Sequence, residues 1–332
     1  MPLRTLRNHI ESYYLKKQKH IVMKNRNYWH AMLAVLLLSA CDNSDGIVPP
    51  FEEKPITVTA DVIQHARAGY QTDVLMPEKF VMDITQNGED KFNYSLVEMT
   101  KKGTNTYSAT DGRKLLWANE THTATVKAMT IPFGLTTVDG TNAMPVNVSL
   151  AQNTEANVAA SDLLGATSSS GDIKIESANI NIEFQHLLSK LDVSYNFADE
   201  VEGEPVVINS ITLQNICTTG KFSYANMTLV AESLGYDDVA MFQSGTGRED
   251  SAEAIFYPYK PTANPTLVIN ATIDGENCNF SCPVVPKDAS NGFVSGKRYT
   301  MNVSIVGTSV SGTTASIAKG WEDGGEKDFV TE

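Results

Sequence analysis

ITVTADVI, residues Ile56 to Ile63, sets the terms on which the rest of the chain is understood. Its side chains alternate, with Ile56, Val58, Ala60 and Val62 on one face and Thr57, Thr59 and Asp61 on the other. A repeat of two belongs to an extended strand, whose successive side chains point to opposite faces, so one face of this segment is suited to burial and the other to water. Runs of the same kind follow to the end of the chain: Lys79 to Ile84, Phe92 to Glu98, Thr123 to Ile131, Pro145 to Leu150, Ile173 to Phe184, Leu191 to Phe197, Val206 to Asn215, Lys221 to Val230, Ala254 to Tyr257, Thr266 to Ile273, Cys278 to Val285 and Arg298 to Ile305. Between them stand Asn87-Gly88, Asp111-Gly112, Asp139-Gly140 and Asp274-Gly275, pairs that accept the positive φ of tight turns. Short strands punctuated in this way predict an all-β protein built of sandwiches. Helical periodicity is confined to short pieces around Ala159 to Leu164 and Phe184 to Leu191.

Upstream of Ile56 the character changes. DNSDGIVPPFEEKP, directly after Cys41, is rich in Pro, Gly and acids with no apolar period, so residues 41–55 are expected to be a tether. Before it, residues 1–40 hold Arg4, Arg7, Lys16, Lys17, Lys19, Lys24 and Arg26 against one acid, Glu11, and then the apolar run Ala31 to Leu38. Basic region, short apolar region and small residues in that order form a secretory signal. The run is too short to span a bilayer, which needs roughly 20 apolar residues. LSAC, Leu38 to Cys41, is a lipobox, so Cys41 is expected to be acylated and to become the mature N-terminus. Two or three acyl chains, at about 0.8 kcal/mol per buried methylene, anchor a protein durably. Met23 offers a second start, because MKNRNYWHAMLAVLLLSAC has the proportions of an ordinary signal.

Removing residues 1–40 takes seven bases and one acid from totals of 26 and 39, leaving 19 against 38 and a net charge of −19. Nucleic acid is excluded as a partner, since phosphate contacts need clustered Lys and Arg and no such run follows Cys41. The remaining length suits two domains. Their division is expected near the end of the small, polar stretch Ala151 to Gly171. Besides Cys41 there are only Cys217, Cys278 and Cys282, too few for a disulfide scaffold. Cys278 and Cys282 would stand about 13 Å apart in a strand and could not bridge each other. Cys217 could pair with either.

No constellation of catalytic type emerges. The histidines beyond Cys41 are His65, His122 and His186, without metal-ligand spacing, and neither HExxH, CxxC, GxGxxG nor GxxxxGK[ST] occurs. GTSVSG, Gly307 to Gly312, lacks the spacing of a nucleophile elbow. No catalytic residue, metal or cofactor is therefore expected. Trp117 and Trp321, with tyrosines such as Tyr70, Tyr94, Tyr107, Tyr257 and Tyr259, would stack on sugars if several stood exposed together, which leaves a lipid-anchored glycan-binding module as the competing function. Arg67, in QHARAGYQ just past the first strand, stands in a polar connection where an exposed loop would admit a trypsin-like protease.

Three segments together resemble the Bacteroidetes fimbrillin family. The first is SDLLGATSSS followed by IEFQHLLSKLDVSYNF, within Ser161 to Phe197, carrying Phe184, His186, Leu188, Ser189, Lys190 and Leu191. The second is Gly296 to Glu326, with a Gly-Lys-x-Tyr strand start and an Ile-x-x-x-Trp ending at Trp321, and the third is the lipobox followed by a first strand and an Ala-Arg-Ala step. The resemblance implies a non-enzymatic pilus subunit, exported as an outer-membrane lipoprotein, made of two transthyretin-like Greek-key β-sandwiches in tandem, at 56–175 and 176–332. It implies cleavage between Arg67 and Ala68, loss of the strand bearing Ile56, Val58, Ala60 and Val62, and insertion of another subunit's strand into the vacated slot. Other fimbrial subunits, and a host glycan or protein, are the implied partners. One departure is the C-terminus: after Trp321 only EDGGEKDFVTE remains, acidic and mostly polar. The donor strand would then be Gly312 to Ala318 with its neighbours, or be absent, as in an anchor, accessory or tip subunit.

Overall fold

In the computed structural model the residues described are 54–62, 76–86, 92–118, 123–167, 173–174, 179–197, 205–286, 290–306, 309–315 and 322–323. The all-β expectation holds. The chain runs through β1 (Thr57–Val62), β2 (Lys79–Gln86), β3 (Tyr94–Lys101), β4 (Thr106–Ala109), β5 (Thr123–Thr130) and β6 (Met144–Asn147). Helix α1 (Glu155–Ser161) follows, then β7 (Leu164–Thr167), β8 (Ile173–Lys174) and β9 (Asn179–His186). Thr154 caps α1 by accepting from the Asn157 amide, the orphan-donor solution expected of a threonine in that place. The second expected helical piece, Phe184 to Leu191, is instead the end of β9, where burial alternates up to His186, and the start of the next strand, where Ser189, Lys190 and Leu191 are buried in succession because both faces of the strand are covered.

The first sheet closes on itself. Its hydrogen-bonded order is β2-β3-β4-β1-β9-β7-β5, β8 lies on β5, and β5 pairs back to β2 from Phe80 opposite Thr130 to Gln86 opposite Ala124. Closure removes the raw edges an open sheet would present. Phe80 sits at the centre of the enclosed core, with ring centroids 4.8 Å from Tyr107 and 5.2 Å from Phe184. At one end Gln86, buried, donates to the carbonyls of Phe92 and Leu116 and accepts from the Ala118 amide, which locks fully buried Trp117 in place.

The remaining strands are β10 (Ser189–Phe197), β11 (Val206–Ser223), β12 (Thr228–Ala240), β13 (Phe242–Gln243), β14 (Glu249–Phe256), β15 (Thr266–Ile273), β16 (Glu276–Pro283), β17 (Lys297–Val306), β18 (Ser309–Ala315) and β19 (Glu322–Asp323). They form two sheets, β13-β14-β10-β17-β18 with β19 on β17, and β12-β11-β15-β16 with β6 on β11. Between them lies a core that includes Leu191, Val193, Leu213, Phe222, Phe256 and Ile269. Asp274 and Gly275, with φ of 49° and 81°, make the expected tight turn between β15 and β16. Cys217, Cys278 and Cys282 are free thiols.

The sheets do not divide the chain at 175/176. β9, beyond that point, completes the closed sheet, while β6, before it, pairs with β11. The described strands on either side of Gly171, β7 and β8, both belong to the first sheet, and Glu52–Glu332 forms one compact unit. Val81 and Met129, on the outward face of the closed sheet, pack into the second core, and Lys127 lies 5.0 Å over the Tyr224 ring.

Candidate functional site

β1 lies inside the closed sheet, not beside it. On one side it runs parallel to β9, with Thr57 opposite Asn179 and Val62 opposite Phe184. On the other it runs antiparallel to β4, with Val58 opposite Tyr107. Before β1 the pairing continues: the Ile56 amide donates to Leu115 at 2.8 Å, the Trp117 amide donates to Lys54 at 2.9 Å, and Pro55 bridges to Leu116. Lys54 and Pro55, placed at the end of the expected tether, thus already belong to the sheet. At the other end the Ala60 amide donates to Asn105 at 3.0 Å.

The alternation does what its period dictates. Val58 and Ala60 are 1% exposed and Val62 4%, with Ile56 at 9%, whereas Thr57 and Asp61 face solvent. Thr59 donates to the Asn181 side chain at 3.1 Å, across the parallel ladder. Tyr107, opposite Val58, donates to the Pro77 carbonyl at 2.7 Å, and burial, with Glu78 as a lesser cause, pushes its phenol up to about 12, so it stays a donor at neutral pH. Packing at the Ile56 end is incomplete: a cleft of about 300 Å³ borders Ile56, Val58, Met99, Tyr107 and Leu115. The four strand residues named from the sequence are therefore gathered into one slot between β4 and β9. Cys41, Arg67 and Ala68 lie outside the described residues, as do His65, His122 and Trp321.

The walls of the slot, β4 and β9, were not identifiable as such from the sequence. Ile180, Ile182 and Phe184 carry the alternating signal of a buried strand, but nothing local names β1 as their neighbour. His186 is buried at the end of β9 with Nδ1 2.7 Å from Asp162 Oδ2. Trp117, one of the two tryptophans proposed as a sugar platform, is wholly buried, and Tyr107, Tyr257 and Tyr259 are buried too. Among the described residues no helix is long and apolar enough to cross a membrane, and no group of three His, Cys, Asp or Glu converges on a metal-sized space.

A family model described as fimbrillin-like matches residues 71–321. The chain belongs to the fimbrillin-like family. Solved structures share the fold at low identity. A candidate cell adhesion protein from Bacteroides uniformis is 19% identical with a TM-score of 0.57, covering 79% of this chain and 97% of its own. A second, from Bacteroides ovatus, is 15% identical with a TM-score of 0.57, covering 85% and 99%. The tip fimbrial protein Mfa3 from Porphyromonas gingivalis, truncated at its C-terminus, is 10% identical with a TM-score of 0.47, covering 80% and 99%. No curated protein sequence matches the chain. The matched region of this fimbrillin-like chain begins after β1 and after Arg67, so the slot walls fall within the family's common part and the strand that fills the slot precedes it.

Proposed function

We propose that this fimbrillin-like protein is a structural and adhesive subunit of a fimbrium, exported as a lipoprotein acylated on Cys41, held at the outer membrane, and assembled by strand exchange after cleavage between Arg67 and Ala68. The observation that carries the reading is the position of β1. It is the first strand of the described chain, it closes an otherwise complete ring of strands, and it is paired on both sides. Its departure would leave β4 and β9 with open backbone edges and expose a slot lined by apolar side chains, which another subunit's strand of like alternation would fill. Other fimbrial subunits are the partners this implies, with a host glycan or protein for the adhesive face.

The test is direct. Lipoprotein purified from its native surface is treated with trypsin or the native arginine-directed protease. The reading expects a fragment starting at Ala68 and ladders of higher mass on gels. An intact monomer under conditions that polymerise other family members would overturn it. Cys41→Ser separates the export claim from the assembly claim, since it should release the protein from membranes while leaving cleavage and laddering of the soluble form intact.

A further inference from the structure

Lys190, Asp192 and Glu253 are charged side chains sealed from solvent, with exposures of 1%, 2% and 0%. Alternation along β10 turns Leu191, Val193 and Tyr195 to the core and sets Lys190 and Asp192 on the opposite face of the sheet. The register completes the group: β14 places Glu253 opposite Asp192, and β17 places Arg298 opposite Lys190. Lys190 Nζ lies 2.6 Å from Glu253 Oε2 and 3.8 Å from Asp192 Oδ1, and Arg298 Nε donates to Asp192 Oδ2. Two cations and two anions balance, as buried charges require. The same arrangement meets the requirements of amide condensation. An amine touches a carboxyl, a second carboxylate within reach can carry a proton, and water that would reverse the step is excluded.

We propose that Lys190 and Glu253 join in an intramolecular isopeptide bond, with Asp192 as the proton carrier. The Lys190 ammonium passes one proton across the 2.6 Å contact to Glu253, giving an amine and a carboxylic acid. The nitrogen lone pair attacks Cδ of Glu253 and forms the C–N bond. Asp192 takes the surplus proton from nitrogen and delivers it to the departing hydroxyl as the Cδ–O bond breaks. One water leaves, no electrons are exchanged with any partner, and Asp192 is returned as a carboxylate beside Arg298. The bond ties β10 to β14 covalently, so that tension transmitted along the chain cannot peel those strands apart. It goes beyond the assembly reading and does not depend on it.

Peptide mass spectrometry of the full chain from its native cell reads the bond directly. Denatured and digested with trypsin, the linked protein yields residues 175–221 joined to residues 249–287, lighter than the two together by one water, with no cut after Lys190. Free peptides 175–190 and 191–221 from protein that circular dichroism had shown to be folded would overturn the proposal. Asp192→Asn keeps the shape and removes the proton carrier, so the rate of linkage after refolding should fall by about 100-fold or more. Linkage at the unaltered rate in that variant would remove Asp192 from the step. Laddering after cleavage at Arg67 is scored separately, so failure of one reading leaves the other standing.

Discussion

Cutting the chain after Arg67 should leave β1 in place until a competing strand displaces it. Ile56, Val58 and Val62 each contribute about 1.5–3 kcal/mol by burial and Ala60 under about 1, for a total of about 5–10 kcal/mol before the ladders to β4 and β9 are counted. That approaches the whole stability of an ordinary domain, about 5–15 kcal/mol, so an empty slot is not a state the closed sheet can hold for long. Native mass spectrometry of the trypsin-cut protein should therefore find both fragments together, although denaturing gels separate them. An isotope-labelled peptide of residues 54–63 should then enter the slot slowly, in proportion to its concentration. Val58→Ala in that peptide deletes two buried carbons, worth about 2 kcal/mol, and should lower its share of occupied slots about 30-fold. Thr57→Ala, on the exposed face, should compete within about twofold of the parent peptide. Equal competition by the two altered peptides, or loss of the N-terminal fragment on cutting alone, would refute the reasoning.

Three further outcomes follow from the packing. A Cβ on Gly220 would stand 2.2 Å from the Tyr257 ring, whose hydroxyl is committed to the carbonyls of Lys221 and Val230, so Gly220→Ala should cost about 1–3 kcal/mol in denaturant unfolding. Burial pushes the Cys217 thiol up to about 12 and that of Cys282 to about 11, so both remain protonated as pH rises through 8 or 9; a thiol reagent there should modify Cys278 first and reach the other two only on unfolding. Asp162→Ala removes the carboxylate 2.7 Å from buried His186 Nδ1 and should destabilise by about 1–3 kcal/mol at neutral pH, whereas Asp111→Ala, an exposed turn carboxylate, should stay within about 0.5 kcal/mol.

Alternation made the strands legible and left their partners hidden. β1, β15 and β17 match the predicted runs closely because each buries one face and leaves the other more exposed, and β2 matches as well although Val81 on its outward face is buried against the second core. The expected strand Lys221 to Val230 is broken by a turn at residues 224–227, where the positive φ falls on Met227 and no glycine or asparagine-glycine pair announces it. Asn215 and Ser233 likewise take positive φ, and the β11 to β12 ladder shifts register through that region without a glycine to signal either residue. Sheet membership was the larger omission. β1 and β9 meet across more than a hundred residues, as in the contact from Thr59 to Asn181, and a short alternating run is compatible with many neighbours. The candidate slot was legible as four residues on one face. Its closure into a ring was not, because closure depends on β5 returning to β2, a pairing no local pattern encodes.

The two ends of the described β-structure differ in what their removal would cost, and the difference bears on assembly. Among the described residues β18 is the last long strand and pairs only with β17, from Thr300 opposite Ala315 to Val306 opposite Ser309. Lifting it away breaks one ladder and leaves β17 still held by β10 in a sheet that otherwise persists. Lifting β1 away breaks two ladders, interrupts the ring and uncovers the side of the core that holds Phe80 and Phe184. Along SVSGTTA the alternate positions Val310, Gly312 and Thr314 carry one large apolar group, against three on the buried face of Ile56 to Val62. By the burial estimate above, a strand with that pattern would forfeit several kcal/mol relative to β1 in the same slot. Under the strand exchange proposed above, β18 would be a weaker occupant of the slot than β1, and an end-of-fibre position, or a partner subunit with a more apolar donor, would fit that asymmetry better than a chain of identical copies.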